Sequence, residues 1–284
     1  FAMLVDADTY FRAARDAMRS ACRSIFILSW DIDSRMRLVP SGANDGYPEP
    51  LAEFLQALLA ERRDLEAWLL NWDFVLLYAM EREWLPVVKL GWATHHRLHF
   101  FMDAHHPIGA SHHQKIVVVD DAIAFVGGLD LTGSRWDTSE HRIGDPERTD
   151  RDGKPYPPFH DVQAAVDGEV AAALGGLCRT RWQRATGVLP GAPEGLAAGS
   201  GSGGHACWPD WLQPDLVDVN VGISRTEPAF EGEGGVQEVR RLHLDAIAAA
   251  RQSLLFENQY FTSGVIADAL EKRLGEPSPP EVIV

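Results

Sequence analysis

Two short runs rich in β-branched residues, Lys115–Val119 and Ile123–Val126, flank the pair Asp120-Asp121. Runs of this length around a two-residue polar turn predict a β-hairpin buried in a sheet. His113 stands two residues before Lys115. Alternation along a strand therefore sends both side chains to one side, while Asp120 has the opposite parity and falls at the turn. Gly127 and Gly128 follow the second run, where absent side chains permit close backbone approach or unusual dihedrals.

The residue types on this hairpin suit phosphoryl chemistry. A neutral imidazole is a competent nucleophile toward phosphorus, or a general acid and base near neutral pH. A neighbouring ammonium group stabilises charge building on a phosphoryl oxygen. A lone His-x-Lys would be a satisfied histidine at a strand start beside a snorkelling lysine. The aspartate, the apolar spacing and the glycine pair together argue for a site.

The rest of the first half alternates helices with apolar strands. Helical periodicity covers residues 6–22, Leu51–Arg63, Leu76–Lys89 (disturbed by Pro86) and Glu169–Arg184, and strands are expected at Ser24–Trp30 and Leu65–Trp72. Between residues 189 and 215 the composition shifts toward Gly, Ala, Pro and Ser, as in Gly199-Ser200-Gly201-Ser202-Gly203-Gly204, which predicts a linker or loop. The expected division is thus 1–188, a linker over 189–215, and a second part over 216–284.

That second part restarts the first. A strand is expected near Val217–Ile223, a helix near Val236–Gln252, a strand at Ser253–Glu257, a helix at Val265–Leu274 and a strand at Val282–Val284. Ala21-Cys22-Arg23-Ser24-Ile25-Phe26 and Ala250-Arg251-Gln252-Ser253-Leu254-Leu255 are both helix ends running into an apolar strand. Element order therefore predicts a repeat that stops before its own His/Lys motif. Trp30 and Asp31 occupy one strand end, and Glu257, Asn258 and Gln259 the equivalent one. Such ends of α/β sheets are where ligands gather, so all five are candidate substrate contacts.

Composition narrows the partners. A net charge of −15 argues against broad attraction to nucleic acid or an anionic membrane. The cysteines Cys22, Cys178 and Cys207 form no CxxC pair, which favours a reducing compartment. No apolar stretch is long enough to span a bilayer, and a cytoplasmic or peripheral-membrane location is expected. His95-His96-x2-His99 lacks the glutamate of a zinc helix. Leu98–Phe101 reads better as a strand, so no metal site is expected there.

His113-x-Lys115-x4-Asp120-x6-Gly127-Gly128 resembles the HKD motif of the phospholipase D superfamily, and its flanks resemble the phospholipid-cleaving branch. The flanking likeness lies in Ser111-His112-His113, in Gly128-Leu129-Asp130-Leu131 with Arg135-Trp136-Asp137, and in Pro158–Val162, Arg181-Trp182 and Phe256–Phe261. The resemblance implies an α/β fold, a mixed sheet flanked by helices in α/β/α layers. It implies tandem repeats related by a pseudo-two-fold, the second incomplete here. It also implies a nucleophilic His113 that forms a phosphohistidine, Lys115 on the phosphate oxygens, and Asp120 fixing the turn. Asp161 would hold the other ring nitrogen of His113, and Gly128 and Asp130 would stand with the substrate contacts. The substrate would be a phospholipid at a membrane surface and the acceptor water or a primary alcohol, with no cofactor. A cardiolipin-synthase-like transferase, a nuclease of the superfamily and an inactive scaffold are the alternatives.

One departure is large. None of the other ten histidines is followed two residues later by lysine. A second histidine would protonate the leaving group, a contribution typically worth ~10²–10⁴ in rate. The expected source is the remaining half of a tandem domain, on the same polypeptide or on another chain. The segment His141–Pro158, rich in Asp, Arg and Pro, is expected to be a solvated loop.

Overall fold

Seven strands form one sheet, and their burial explains the sequence pattern. The structure is a computed structural model that describes residues 1–73, 95–193 and 207–284. It divides into two units, Phe1–Val221 and Gly222–Val284. The expected helix over Leu76–Lys89 and the glycine-serine run over 199–204 lie outside the described residues.

In the first unit the strands are β1 (Ala2–Val5), β2 (Ser24–Ser29), β3 (Glu66–Trp72), β4 (Leu98–Asp103), β5 (Ile116–Val119), β6 (Ile123–Gly127) and β7 (Val162–Asp167). Their order across the sheet is β1-β7-β6-β5-β2-β3-β4. Strands β2, β3 and β4 run parallel, and the pairs from β2–β5 to β1–β7 are antiparallel. The sheet is therefore mixed. Parallel neighbours need a crossover, and α2 (Leu51–Glu61) supplies the one between β2 and β3.

Strand alternation divides the apolar side chains between two cores. Ile25, Ile27, Leu69, Val117, Val119 and Phe125 pack with α1 (Asp6–Ser20) and α2 on one face. Phe26, Leu28, Leu70, Ile116 and Val118 pack with Leu174, Cys178 and Trp182 of α3 (Gly168–Thr186) on the other. Three layers result, α/β/α. The run Ile116–Val119 is buried throughout because helices cover both faces of its strand. Gly187 ends α3 in the left-handed conformation, its N–H bonding the Gln183 carbonyl at 2.8 Å.

Part of the segment expected as linker belongs to the first unit. Cys207 and Leu212 join the core beside α1, and the Asp215 carboxylate accepts the Met3 N–H at 2.7 Å. The strand expected at Val217–Ile223 is irregular and exposed. Among the described residues its alternating valines have no neighbouring strand to pair with.

The second unit, taken by itself, contains β8 (Thr226–Glu227) antiparallel to β9 (Val236–Gln237), then α4 (Glu238–Ala249), β10 (Ser253–Leu255), α5 (Gly264–Leu274) and β11 (Glu281–Ile283). Strands β10 and β11 are parallel across α5, as β2 and β3 are across α2. The helix entering each parallel pair ends the same way. Ala21 and Ala250 have nearly equal dihedrals (φ −58°, ψ 133° and φ −61°, ψ 133°). Arginine guanidinium groups cap both turns, Arg62 on the Ala21 carbonyl at 2.8 Å and Arg273 on the Ala250 carbonyl.

Candidate active site

The turn between β5 and β6 is built by its two aspartates. Asp120 and Asp121 both have φ +54° at the centre of a turn closed by the Ala122 N–H on the Val119 carbonyl at 2.9 Å, and aspartate tolerates that conformation better than β-branched residues would. The buried Asp120 carboxylate accepts three backbone N–H groups, from Cys22 (2.6 Å), Arg23 (2.7 Å) and Ser24 (2.7 Å). These bonds tie the hairpin to the start of β2. Asp121 pairs with Arg179 of α3 at 2.9 Å.

At the other end of β5, Lys115 precedes the strand and is buried. Its ammonium donates to the His113 carbonyl at 3.0 Å and pairs with Asp130 at 3.2 Å. Burial pushes the Lys115 pKa below its usual value, and the Asp130 charge opposes that shift. Burial raises the pKa of Asp130 in turn, against Lys115 and the N–H groups of Asp31 and Trp30. The Asp130 carboxylate accepts those two N–H groups at 2.9 Å (Trp30) and 3.3 Å (Asp31). Asp130 is thus occupied by protein partners. It holds Lys115 and the Trp30–Asp31 backbone.

His113 is exposed, with its ring edge toward Trp30 (centroids 5.9 Å apart). Partial desolvation, then the Lys115 charge, lowers its pKa. The ring is accordingly neutral at neutral pH, the form with a nucleophilic nitrogen. Asp161 makes no hydrogen bond to it, contrary to expectation. One Asp161 oxygen accepts the Val162 N–H at 2.8 Å, and the carboxylate lies where a side chain on Gly128 would be, 2.1 Å from an ideal Cβ. Its charge acts instead on Lys115, favouring the ammonium form. Gly127 and Gly128 serve close approach, since neither has a left-handed φ.

Gln114, between the two motif residues, has the parity of Ile116 and Val118 and reaches the α3 face. There Arg181 donates to it and to Asp103 at the end of β4. Asp103 also takes His112 Nε2 at 3.2 Å and the His105 N–H at 2.9 Å. Burial opposes ionisation of Asp103, but His112 and Arg181 pull its pKa down to about 2. Sequence reasoning missed this anchor. Its signal was Arg181 at helical spacing from Leu174 and Cys178, a cation on an apolar face. Trp72, stacked on Trp30 (5.8 Å), donates to His106 Nε2 at 2.9 Å. His99 lies on β4 and His95 before it, so the two share no helix face.

The hairpin, with Trp30 and Asp31, thus forms one cluster in the first unit. Asp31 accepts the Thr132 hydroxyl at 2.8 Å. Glu257, Asn258 and Gln259 follow β10 in the second unit, where all three are exposed.

The first unit is a three-layer α/β half that presents an exposed histidine beside a buried lysine–carboxylate pair, and comparison gives it a family. Residues 93–196 match the family model described as Phospholipase D. The chain is 28% identical over 213 residues to Phospholipase D C of Dictyostelium discoideum, covering 64% of this chain and 12% of that protein. It is 30% identical over 159 residues to Phospholipase D1 of Mus musculus, covering 50% of this chain and 13% of that protein. It therefore spans a small part of the curated relatives it matches. Among solved structures, phosphatidylserine synthase of Haemophilus influenzae Rd KW20 shares the fold at a TM-score of 0.58 and 12% identity, over 99% of this chain and 60% of that one. The chain belongs to the phospholipase D superfamily.

Proposed function

We propose that this chain supplies the nucleophilic half of a phospholipid phosphodiesterase or phosphatidyltransferase. A His113 ring nitrogen attacks phosphorus, and the bond from phosphorus to the headgroup oxygen breaks. Lys115 stabilises charge on the phosphoryl oxygens. The histidine of a second motif gives its proton to the leaving oxygen. Water or an alcohol then returns a proton to that histidine as its oxygen bonds to phosphorus and the phosphorus–nitrogen bond breaks. No step uses a metal.

The observation that carries the reading is the exposed His113 beside a buried Lys115 that is paired with Asp130. Family membership and the phospholipase D names of the relatives support a phospholipid as substrate. The matched helix ends at Ala21 and Ala250, each followed by a parallel strand–helix–strand unit, support a second half that repeats the first. The second unit leaves Leu242, Leu255, Tyr260, Leu274 and Ile283 exposed, which supports its being completed by more protein.

The test is headgroup release from phosphatidylcholine vesicles, with phosphatidylethanol formed when ethanol is added, by protein carrying both motifs. Conversion of His113→Ala protein at the wild-type rate sinks the nucleophile assignment. Turnover by the 284-residue chain as a monomer sinks the paired-motif reading. Transfer to the hydroxyl of a second lipid, as in cardiolipin-synthase-like chemistry, uses the same intermediate and is told apart by its product.

A further inference from the structure

The Asp6 carboxylate is 1% exposed, and its two oxygens are treated differently. Oδ1 meets His160 Nδ1 at 2.7 Å and accepts the Asp161 N–H at 3.2 Å. Oδ2 makes no hydrogen bond. Facing it at 3.4 Å is His141 Nε2. Leaving a buried carboxylate oxygen unsatisfied is costly, so its surroundings need explaining.

The partner of His141 decides what faces Oδ2. His141 Nδ1 lies 3.0 Å from Asp137 Oδ2. Asp137 is buried, accepts the Phe159 and Thr138 N–H groups at 2.9 Å each, and pairs with Arg148 at 2.9 Å. With Nδ1 turned to that carboxylate, Nε2 is the ring atom left facing the orphaned Asp6 oxygen. A cation held between Nε2 and Oδ2 would give that oxygen a partner.

The remaining geometry fits a metal ion. One ligand atom from each of Asp6, His141 and His160 lies within 4.8 Å of the others. Two imidazoles and a carboxylate suit divalent zinc and its first-row neighbours better than magnesium or calcium. Metal-bound histidine usually gives its other N–H to a carboxylate, as His141 does to Asp137. Partial exposure of the His141 and His160 side chains, 31% and 43%, leaves an entry path. Asp6 and His141 also hold left-handed backbone conformations, φ +63° and +45°.

We propose that Asp6, His141 and His160 form a binding site for a divalent transition-metal ion, zinc being the probe, that pins the loop before β7 to the start of α1. This site is separate from the phosphoryl chemistry and departs from the metal-free reading of the sequence. Spacing could not reveal it, because its ligands are 135 and 19 residues apart. Its position is informative: His160 adjoins Asp161, whose charge acts on Lys115. A bound ion would hold that segment in place.

The test uses the 284-residue chain stripped of metal with EDTA and titrated with zinc or cobalt(II). Dialysis should show one ion more on the wild type than on His141→Ala or His160→Ala. The visible absorption of bound cobalt should be lost in both variants and kept in His95→Ala, which removes part of the adjacent His95–His96 pair. Nitrogen-detected NMR of the unmutated chain reads ligation directly, whether or not the variants fold. Zinc should shift the His141 and His160 ring nitrogens. Equal stoichiometry in all proteins, or zinc shifts confined to other histidines, overturns the proposal.

Discussion

Lys115 and Asp130 stand 3.2 Å apart with 4% of each side chain exposed, and the second oxygen of Asp130 carries the N–H groups of Trp30 and Asp31. One carboxylate therefore sets both the cation of the motif and the neighbouring strand end. Removing it alone leaves a buried charge without its partner. Asp130→Asn is expected to lower stability by about 3–5 kcal/mol in urea unfolding. Replacing both members, Lys115→Met with Asp130→Leu, should recover much of that loss, since a dry apolar pair avoids the desolvation cost. A single variant within about 1 kcal/mol of wild type would mean that the pair is not coupled as its burial indicates.

His113 gives a prediction that needs no substrate. Partial desolvation and then the Lys115 charge lower its pKa. In an NMR titration of the ring protons, His113 should become charged below the ordinary imidazole value of 6.5. Lys115→Met removes one of the two causes and should move the midpoint upward. A midpoint at or above 6.5 in the wild type, or no upward movement in the variant, contradicts this account of the nucleophile.

The hairpin and its layers were legible because their causes are local. Runs such as Ile116–Val119 announce a strand, and Asp120-Asp121 supply the turn. The expectation of phosphoryl chemistry at His113 and Lys115 came from residue type and from family likeness. What escaped depends on distance in sequence. Asp120 binds N–H groups nearly a hundred positions away, which no spacing rule reports. Asp161 was expected on the His113 ring, but its side chain is drawn to the Val162 N–H and over Gly128. The strand β1 was missed because its partner, β7, lies some 160 residues on. Helix ends shifted by one to three residues, as capping competes with periodicity there.

Asp103 links the site to acid stability. Its pKa falls from an ordinary 3.8 to about 2 in the folded chain: burial opposes the fall, and His112 and Arg181 cause it. The unfolded chain therefore takes up a proton here at higher pH than the folded one. The stabilisation, on the order of 2 kcal/mol, is fully present above pH 3.8 and is lost as the pH falls toward about 2. Arg181→Met should reduce stability at pH 5, and its deficit should narrow as the pH is lowered through that window. Denaturant melts at a series of pH values measure it. A deficit of constant size would mean that Arg181 acts through packing alone.

The two glycines after β6 should respond differently to alanine. A Cβ on Gly127 would meet the Val162 carbonyl at 2.4 Å and the Gln163 Cα at 2.8 Å, backbone atoms fixed by pairing with β7. A Cβ on Gly128 would meet only the Asp161 side chain among its nearest atoms, and that carboxylate can rotate away. Gly127→Ala is therefore the more destabilising change, at the upper end of the ~1–3 kcal/mol usual for overpacking or beyond it. Gly128→Ala should cost less stability but move Asp161 away from Lys115, lowering turnover per folded molecule by more than its stability loss explains. Urea unfolding and phosphatidylcholine turnover on the same preparations compare the two. If Gly128→Ala keeps wild-type turnover, the position of Asp161 near Lys115 has no part in the chemistry.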